Sequence, residues 1–339
     1  MSKAAINPKL PLKILSSLFN AVQKKRAAAY NQGILTPVHI KNAKVVSIGN
    51  IAAGGRGKSP FALFIANFFL KKEIQPAILL RGYKGKMEFK GGAVSYGDGP
   101  VAAPDQSGDE AWQASFLSRN ILVFAGANRA KQAKAAVKEG AEIIILDDGF
   151  QHRSIHRDID IVIIAPGDID PKSNTLPAGH LREKKDALKR ADLICGNSID
   201  WKEIKNSSHY PDLFFKYTPS FIVSKKGVKS KIEPFLNKYK KVHLISAIER
   251  PVLFEKTVKE AGFTVTSHSI YKDHHVFTKK ELNNCIKKAH QNEASAILTT
   301  VKDLARLLYF DVELNIVALV IDIKITKGKE KLKELIDNI

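Results

Sequence analysis

Cysteine is scarce in this chain of 339 residues: Cys195 and Cys285 stand far apart and form no Cys-x-x-Cys pair. That excludes a disulfide framework and a zinc knuckle, and it fits reducing, cytosolic surroundings. Acid is in short supply as well. Lys and Arg number 54 against 34 Asp and Glu, a net charge of +20. Such an excess suits polyanions (nucleic acid, an anionic membrane, phosphorylated molecules) or simply a soluble basic surface. Signatures of nucleic-acid readers are missing: there is no helix-turn-helix, zinc or aromatic RNA-binding motif, so nucleic acid is not an expected partner. Long apolar runs are missing too. The uncharged stretch between Lys13 and Lys24 falls far short of the ~20 apolar residues of a spanning helix, and it lacks the form of a signal peptide. No repeat or low-complexity block occurs.

What is present starts with the segment Lys9–Arg26, KLPLKILSSLFNAVQKKR. Leu15, Leu18, Phe19 and Val22 share one face at helical spacing. The pattern admits two placements: a basic amphipathic helix lying in the interface of an anionic leaflet, or a helix packed on the protein's own core. Beyond it, Val/Ile/Leu strands alternate with helical stretches, at 44–48, 76–80, 121–125, 142–146, 159–165 and 191–195. That alternation predicts an α/β fold with a mostly parallel sheet covered by helices on both faces, like a P-loop NTPase. Near Asp212 the texture changes. Residues 213–217 and 221–224 are aromatic, alternating and broken by Pro219, and they read as a hairpin or ribbon. A second strand–helix series then predicts a smaller α/β domain. The expected division is 1–30 for the amphipathic helix, 31–212 for the first domain, and 213–339 for a strand linker and the smaller domain.

The first strand runs into GNIAAGGRGKSP, residues 49–60. A strand, a glycine-rich loop and a helix are what a phosphate-binding loop requires. Gly54, Gly55, Arg56 and Gly57 would bring backbone N–H groups to phosphates at a helix N-terminus. Lys58 would reach the outer phosphates and the Ser59 hydroxyl would bind Mg²⁺. Alanine stands at position 52, where the common pattern has glycine. The apolar strand Ile143–Leu146 ends in Asp147 and Asp148, the place where such enzymes hold Mg²⁺ through an acid.

Further polar groups gather at predicted C-terminal strand ends, where ligands of open α/β sheets bind. They are Arg81 and Tyr83, Asp109 and Glu110, Arg129, Gln151 and His152, and the loop Leu176–Glu183 with Arg182 and Glu183. For Asp109 the simpler reading is an acid that caps the first turn of a helix. Asp273-His274-His275 reads as an acid–imidazole pair for base work rather than a metal site, because adjacent residues rarely face one ion. Thr299–Asp303 reads as packing or as a phosphate contact.

Together these stretches resemble one family, the tetraacyldisaccharide 4′-kinases of lipid A biosynthesis. The motifs that carry the resemblance are SIGNIAAGGRGKSP (47–60), RGYKGK (81–86), GDEAW (108–112), ILDDGFQHRSIHRDIDIV (145–162), LPAGHLRE (176–183), YKDHHVFT (271–278) and TTVKD (299–303), in the family's order. The resemblance implies transfer of the γ-phosphoryl of ATP to the 4′-hydroxyl of an anionic, acylated disaccharide 1-phosphate, with Mg²⁺. It implies work at the cytoplasmic face of a bacterial inner membrane, on an anionic leaflet, with no obligate protein partner. By position, it makes Asp109 and His274 the pair that activates the sugar hydroxyl, and Lys58, Arg129 and Arg182 the phosphate-neutralising cations. Asp147, Asp148 and Ser59 fall on the magnesium side. Arg81, Tyr83, Glu110, Gln151, His152 and Glu183 match substrate-site positions. The competing reading from residues alone is a membrane-associated P-loop ATPase that switches without a small-molecule acceptor.

Overall fold

The computed structural model describes residues 10–204, 210–312 and 314–339. Lys9, included in the amphipathic segment, lies outside them. Packing divides the chain into two compact units that alternate along the sequence. The first holds the described residues up to Leu79, with Arg129–Lys216 and Ile325–Ile339; the second holds Leu80–Asn128 and Tyr217–Lys324. The boundary expected at 212 lies close to the crossing at Lys216. Residues 80–128, expected with the first domain, belong to the second unit. The reason is apolar: Trp112 is buried in one cluster with Val223, Ile245 and Leu304. The C-terminal helix Lys329–Asp337 belongs to the first unit, where Lys331 pairs with Asp212 at 2.6 Å.

In the first unit the strands run in the order: the strand that starts at Leu213, Leu193–Asn197, Ile159–Ile164, Lys44–Gly49, Ile143–Asp147, Pro76–Leu80, each paired parallel to the next. Nearly all their residues are buried, as continuous Val/Ile/Leu strands require when both faces are covered. Lys44–Gly49 is central. Its register with the Ile143 strand sets Ile48 opposite Asp147, so the glycine loop and the two acids leave the sheet side by side.

The second unit repeats the parallel theme with Thr264–Ile270, Lys241–Ser246, Ala296–Thr299 and Ile316–Lys327. It adds an antiparallel pair, Gly92–Ser95 with Leu122–Ala125. The expected break at Pro219 does not occur: Leu213–Ser224 is one strand that passes from the first unit into the second. Its middle, Lys216–Ser220, is exposed or half-buried, and a missing N–H is tolerated where a strand is not fully enclosed. Its last residues do form a hairpin, pairing with Lys229–Lys231.

The N-terminal helix spans Leu10–Asn31. Its buried residue is Ser16, whose hydroxyl bonds the Thr175 carbonyl and lies 2.6 Å from the Thr175 hydroxyl. Ile14, Leu15, Leu18 and Val22 are exposed. The core-packed placement of that face is therefore not what the chain adopts. Among the described residues, no helix is long and apolar enough to cross a membrane.

Candidate active site

In the first unit the glycine loop closes onto the helix Lys58–Leu70. Gly57 precedes that helix at φ 78°, a left-handed value that costs glycine nothing. No side chain caps the helix, so its first N–H groups stay available for anionic oxygens. Lys58 points to Asp148, with Nζ 3.4 Å from Oδ1. Arg182 donates from Nη1 to both Asp148 oxygens, at 2.8 and 2.7 Å. Burial pushes the Asp148 carboxyl up, but the charges of Lys58 and Arg182 outweigh it and hold it below the usual carboxylate range. Asp148 itself sits at φ 56°, a left-handed conformation that aspartate tolerates better than most residues.

Arg182 reaches this place because its loop is strapped to the glycine loop. Ala52 bridges Leu181, the Arg182 and Glu183 N–H groups donate to Ile51 O, and the Ala53 N–H donates to His180 O. Gln151 completes the strap, donating to Asn50 O at 2.8 Å and to Glu183 at 3.0 Å. Glu183 is held by Arg190 at 2.9 Å. Asp147 is buried, and its carbonyl accepts from Arg129, which is buried as well. Arg129 thus lies beneath the strand end rather than in the open.

Arg56 turns away from the loop's mouth. Its guanidinium grips Asp168 at 3.0 and 2.6 Å, and His180 Nε2 meets the same carboxylate at 3.1 Å. Burial pushes Asp168 up, yet His180, Arg56 and the Ala165 N–H together hold it low. Neither Asp168 nor His180 was singled out as a site residue from sequence. Arginine inside a glycine loop, needing an anion, was the one available signal.

In the second unit Asp109 opens the helix Asp109–Leu117 and meets the helix Val301–Leu307. Arg306 donates from Nε at 2.9 Å and from Nη2 to Asp109 Oδ2. His274 Nδ1 lies 3.4 Å from the same oxygen. On the far side, Lys302 Nζ is 3.1 Å from His274 Nε2. Lysine only donates, and a neutral imidazole has one acceptor nitrogen. Arg306 Nη2, another group that only donates, lies 3.1 Å from His274 Nδ1, so both ring nitrogens face cationic donors and Nδ1 sits between Arg306 and Asp109. Burial pushes Asp109 up, but the hydrogen bonds and charges of His274 and Arg306 outweigh it, leaving the carboxyl below its usual range. Tyr83 stands edge-on to His274, ring centroids 6.5 Å apart.

The other predicted residues are placed as follows. Arg81 pairs with Glu88 at 2.8 Å. Glu110 is exposed. His152 contacts Ser154 at 3.0 Å. His275 pairs with Glu281 at 3.0 Å. In the Thr299–Asp303 stretch the ends pack, with Thr299 buried on Ile245 O and buried Asp303 accepting from the Ala247 N–H, while Lys302 reaches His274. Sequence reading missed Arg306, which looks like an ordinary charge on a short helix, and gave Lys302 no role of its own within the Thr299–Asp303 stretch.

The donor set expected for magnesium from the sequence is a hydroxyl, Ser59, and two carboxylates, Asp147 and Asp148. Hard oxygens of this kind suit Mg²⁺, which takes few protein ligands and completes its shell with waters and nucleotide phosphates. The described residues hold no cluster of three or more His, Cys, Asp or Glu side chains arranged for a metal.

The family model described as tetraacyldisaccharide-1-P 4′-kinase matches residues 8–339. A tetraacyldisaccharide 4′-kinase of Desulfotalea psychrophila is 33% identical over 88% of this chain and 88% of its own. Another, from an Anaeromyxobacter species, is 30% identical over 96% and 90%. A crystal structure described as the "apo" form of LpxK from Aquifex aeolicus in complex with ATP superposes with a TM-score of 0.76, 29% identity and 96% coverage of both chains. A glycine loop with Lys58 on Asp148, an acid–imidazole pair at Asp109, and a match over nearly its whole length place this chain in the tetraacyldisaccharide-1-P 4′-kinase family.

Proposed function

We propose that this chain transfers the γ-phosphoryl of ATP to the 4′-hydroxyl of a tetraacyldisaccharide 1-phosphate. One observation supports it above the others: the chain carries both a phosphate-gripping cluster and a separate carboxylate oriented by an imidazole. A switch ATPase needs the first and has no work for the second.

The residues divide the task as follows. The loop N–H groups and Lys58 bind the β- and γ-phosphates, and Arg182 adds a second cation where charge accumulates. Ser59, Asp147 and Asp148 would hold Mg²⁺, which when bound supplies charge neutralisation for the phosphate oxygens. Asp109, ionised at neutral pH, accepts the 4′-hydroxyl proton as the oxygen attacks. His274, with Nδ1 3.4 Å from the carboxylate, and Arg306 keep Asp109 oriented. The new bond joins the 4′-oxygen to the γ-phosphorus; the bond to the β–γ bridging oxygen breaks, and ADP departs. A loose transition state asks little of the base, so a carboxyl below its usual range still suffices.

The Leu10–Asn31 helix attaches the enzyme to its lipid. With Ser16 against the protein and Ile14, Leu15, Leu18 and Val22 outward, it lies in an anionic leaflet, at the cytoplasmic face of a bacterial inner membrane. The net charge of +20 favours both leaflet and substrate.

The test is an assay of ATP, Mg²⁺ and the disaccharide lipid in detergent micelles. The expected product carries two phosphates. Slow ATP hydrolysis indifferent to the lipid is the result that would replace the kinase with the switch.

A further inference from the structure

Phe89 is 90% exposed, the most exposed large hydrophobic side chain among the described residues. It lies in the short helix Met87–Lys90 of the second unit. Lys86, Phe89 and Lys90 stand at i, i+3 and i+4, so they share one face. All three are exposed, as is Lys84, whose ammonium lies over the Tyr83 ring at 5.8 Å. The segment Arg81–Lys90 contains four cations and one acid. That acid, Glu88, is buried; it accepts from Arg81 Nε at 2.8 Å and from the Lys84 N–H at 3.3 Å. The turn therefore folds its negative charge inward and leaves lysines around a bare phenyl ring.

The turn is also firmly seated. The Gly85 N–H donates to Gly82 O, and Glu88 O accepts from the Ala127 N–H at 2.7 Å. Gly85 packs so closely on Gly108 that a Cβ there would collide with the Gly108 nitrogen. Gly108 immediately precedes Asp109. Whatever holds the Lys86–Lys90 face thus fixes the height of the acid that faces the acceptor.

We propose that the Lys84–Lys90 turn is a second lipid-docking surface, in which Phe89 enters the headgroup–acyl boundary of an anionic leaflet while Lys84, Lys86 and Lys90 meet its phosphates. An aromatic ring ringed by lysines, with no acid exposed between them, matches that interface in both polarity and charge. A solitary exposed hydrophobe needs no explanation; one framed by cations at helical spacing has a matching partner. The surface deepens the proposed reaction at a membrane and is independent of the N-terminal helix.

The experiment uses the full chain with Phe89→Trp. Trp112 and Trp201 are buried, so the new indole dominates any lipid-dependent change. With phosphatidylglycerol-containing vesicles its emission should shift to the blue and be quenched by brominated acyl chains. Pure phosphatidylcholine should give neither effect. Lys86→Gln with Lys90→Gln, in the same background, should weaken vesicle binding about thirtyfold. An unshifted indole on anionic vesicles, or equal quenching on both lipids, overturns the proposal. Phe89→Ser should leave turnover of micelle-dispersed substrate unchanged; a raised KM for that substrate would mean the ring touches the substrate's chains and not the leaflet. Failure of the reaction itself would appear in the micelle assay with the wild-type chain, separately from the indole signal.

Discussion

The two charged clusters solve the same problem with different materials. Around Asp148, Lys58 and Arg182 come from the glycine loop and from the loop strapped to it. Around Asp109, Arg306 comes from a helix 197 residues away in sequence, and His274 from a turn at φ 62°. Both carboxyls are held below their usual range against burial. In the proposed reaction the first cluster gathers cations for a nucleotide, and the second offers one imidazole and an arginine to the acid that takes the proton. A grip on phosphate needs excess positive charge; a base needs restrained positive charge, because each added cation weakens it.

That contrast can be broken by substitution. The largest effect is expected for Lys58→Ala: transfer falls about 10⁴-fold while the melting temperature stays near wild type, measured by turnover and thermal denaturation. Next, Asp109→Asn lowers kcat roughly 10³-fold with ATP affinity unchanged, read by a kcat-against-KM split. Loss of the fold in that variant would make Asp109 a helix cap only. Arg306→Lys, which keeps the charge but not the two-pronged grip, should cost about tenfold in kcat. It should also let the Asp109 pKa rise, so the acid limb of the pH–rate profile moves to higher pH. Asp168→Asn loosens Arg56 and should raise the KM for ATP about fivefold, sparing kcat.

The smallest effect concerns stability. His243 is buried between Ser267 and Ser269, and burial, with His268 and Lys288 nearby, pushes its pKa down to about 4. The unfolded chain takes up that proton near pH 6.5, while the folded chain does not until about pH 4. The stabilising contribution is complete above pH 6.5 and is lost as pH falls toward 4. His243→Gln should flatten the thermal stability profile in that window.

The sequence disclosed the first cluster better than the second, for a physical reason. Glycine loops and paired acids at strand ends are local patterns, fixed by backbone geometry within a dozen residues. Lys58, Asp148 and the parallel character of the sheet could be read that way. Asp109 was legible only as an acid at a helix start, a pattern shared with any capped helix; the resemblance, not the spacing, singled it out. Arg306 gives no local sign, since its role depends on two helices packing across 197 residues. Pro219 misled because strand propensity was judged without its neighbours. The transfer of residues 80–128 to the second unit follows from where Trp112 finds apolar company, which no local pattern encodes.

The division of labour is tested most directly by one measurement: labelled ATP and disaccharide lipid given to Asp109→Asn in a single turnover, with ATP binding recorded in the same sample. The account predicts wild-type ATP binding and almost no label on the lipid. Label reaching the lipid at the wild-type rate would contradict it.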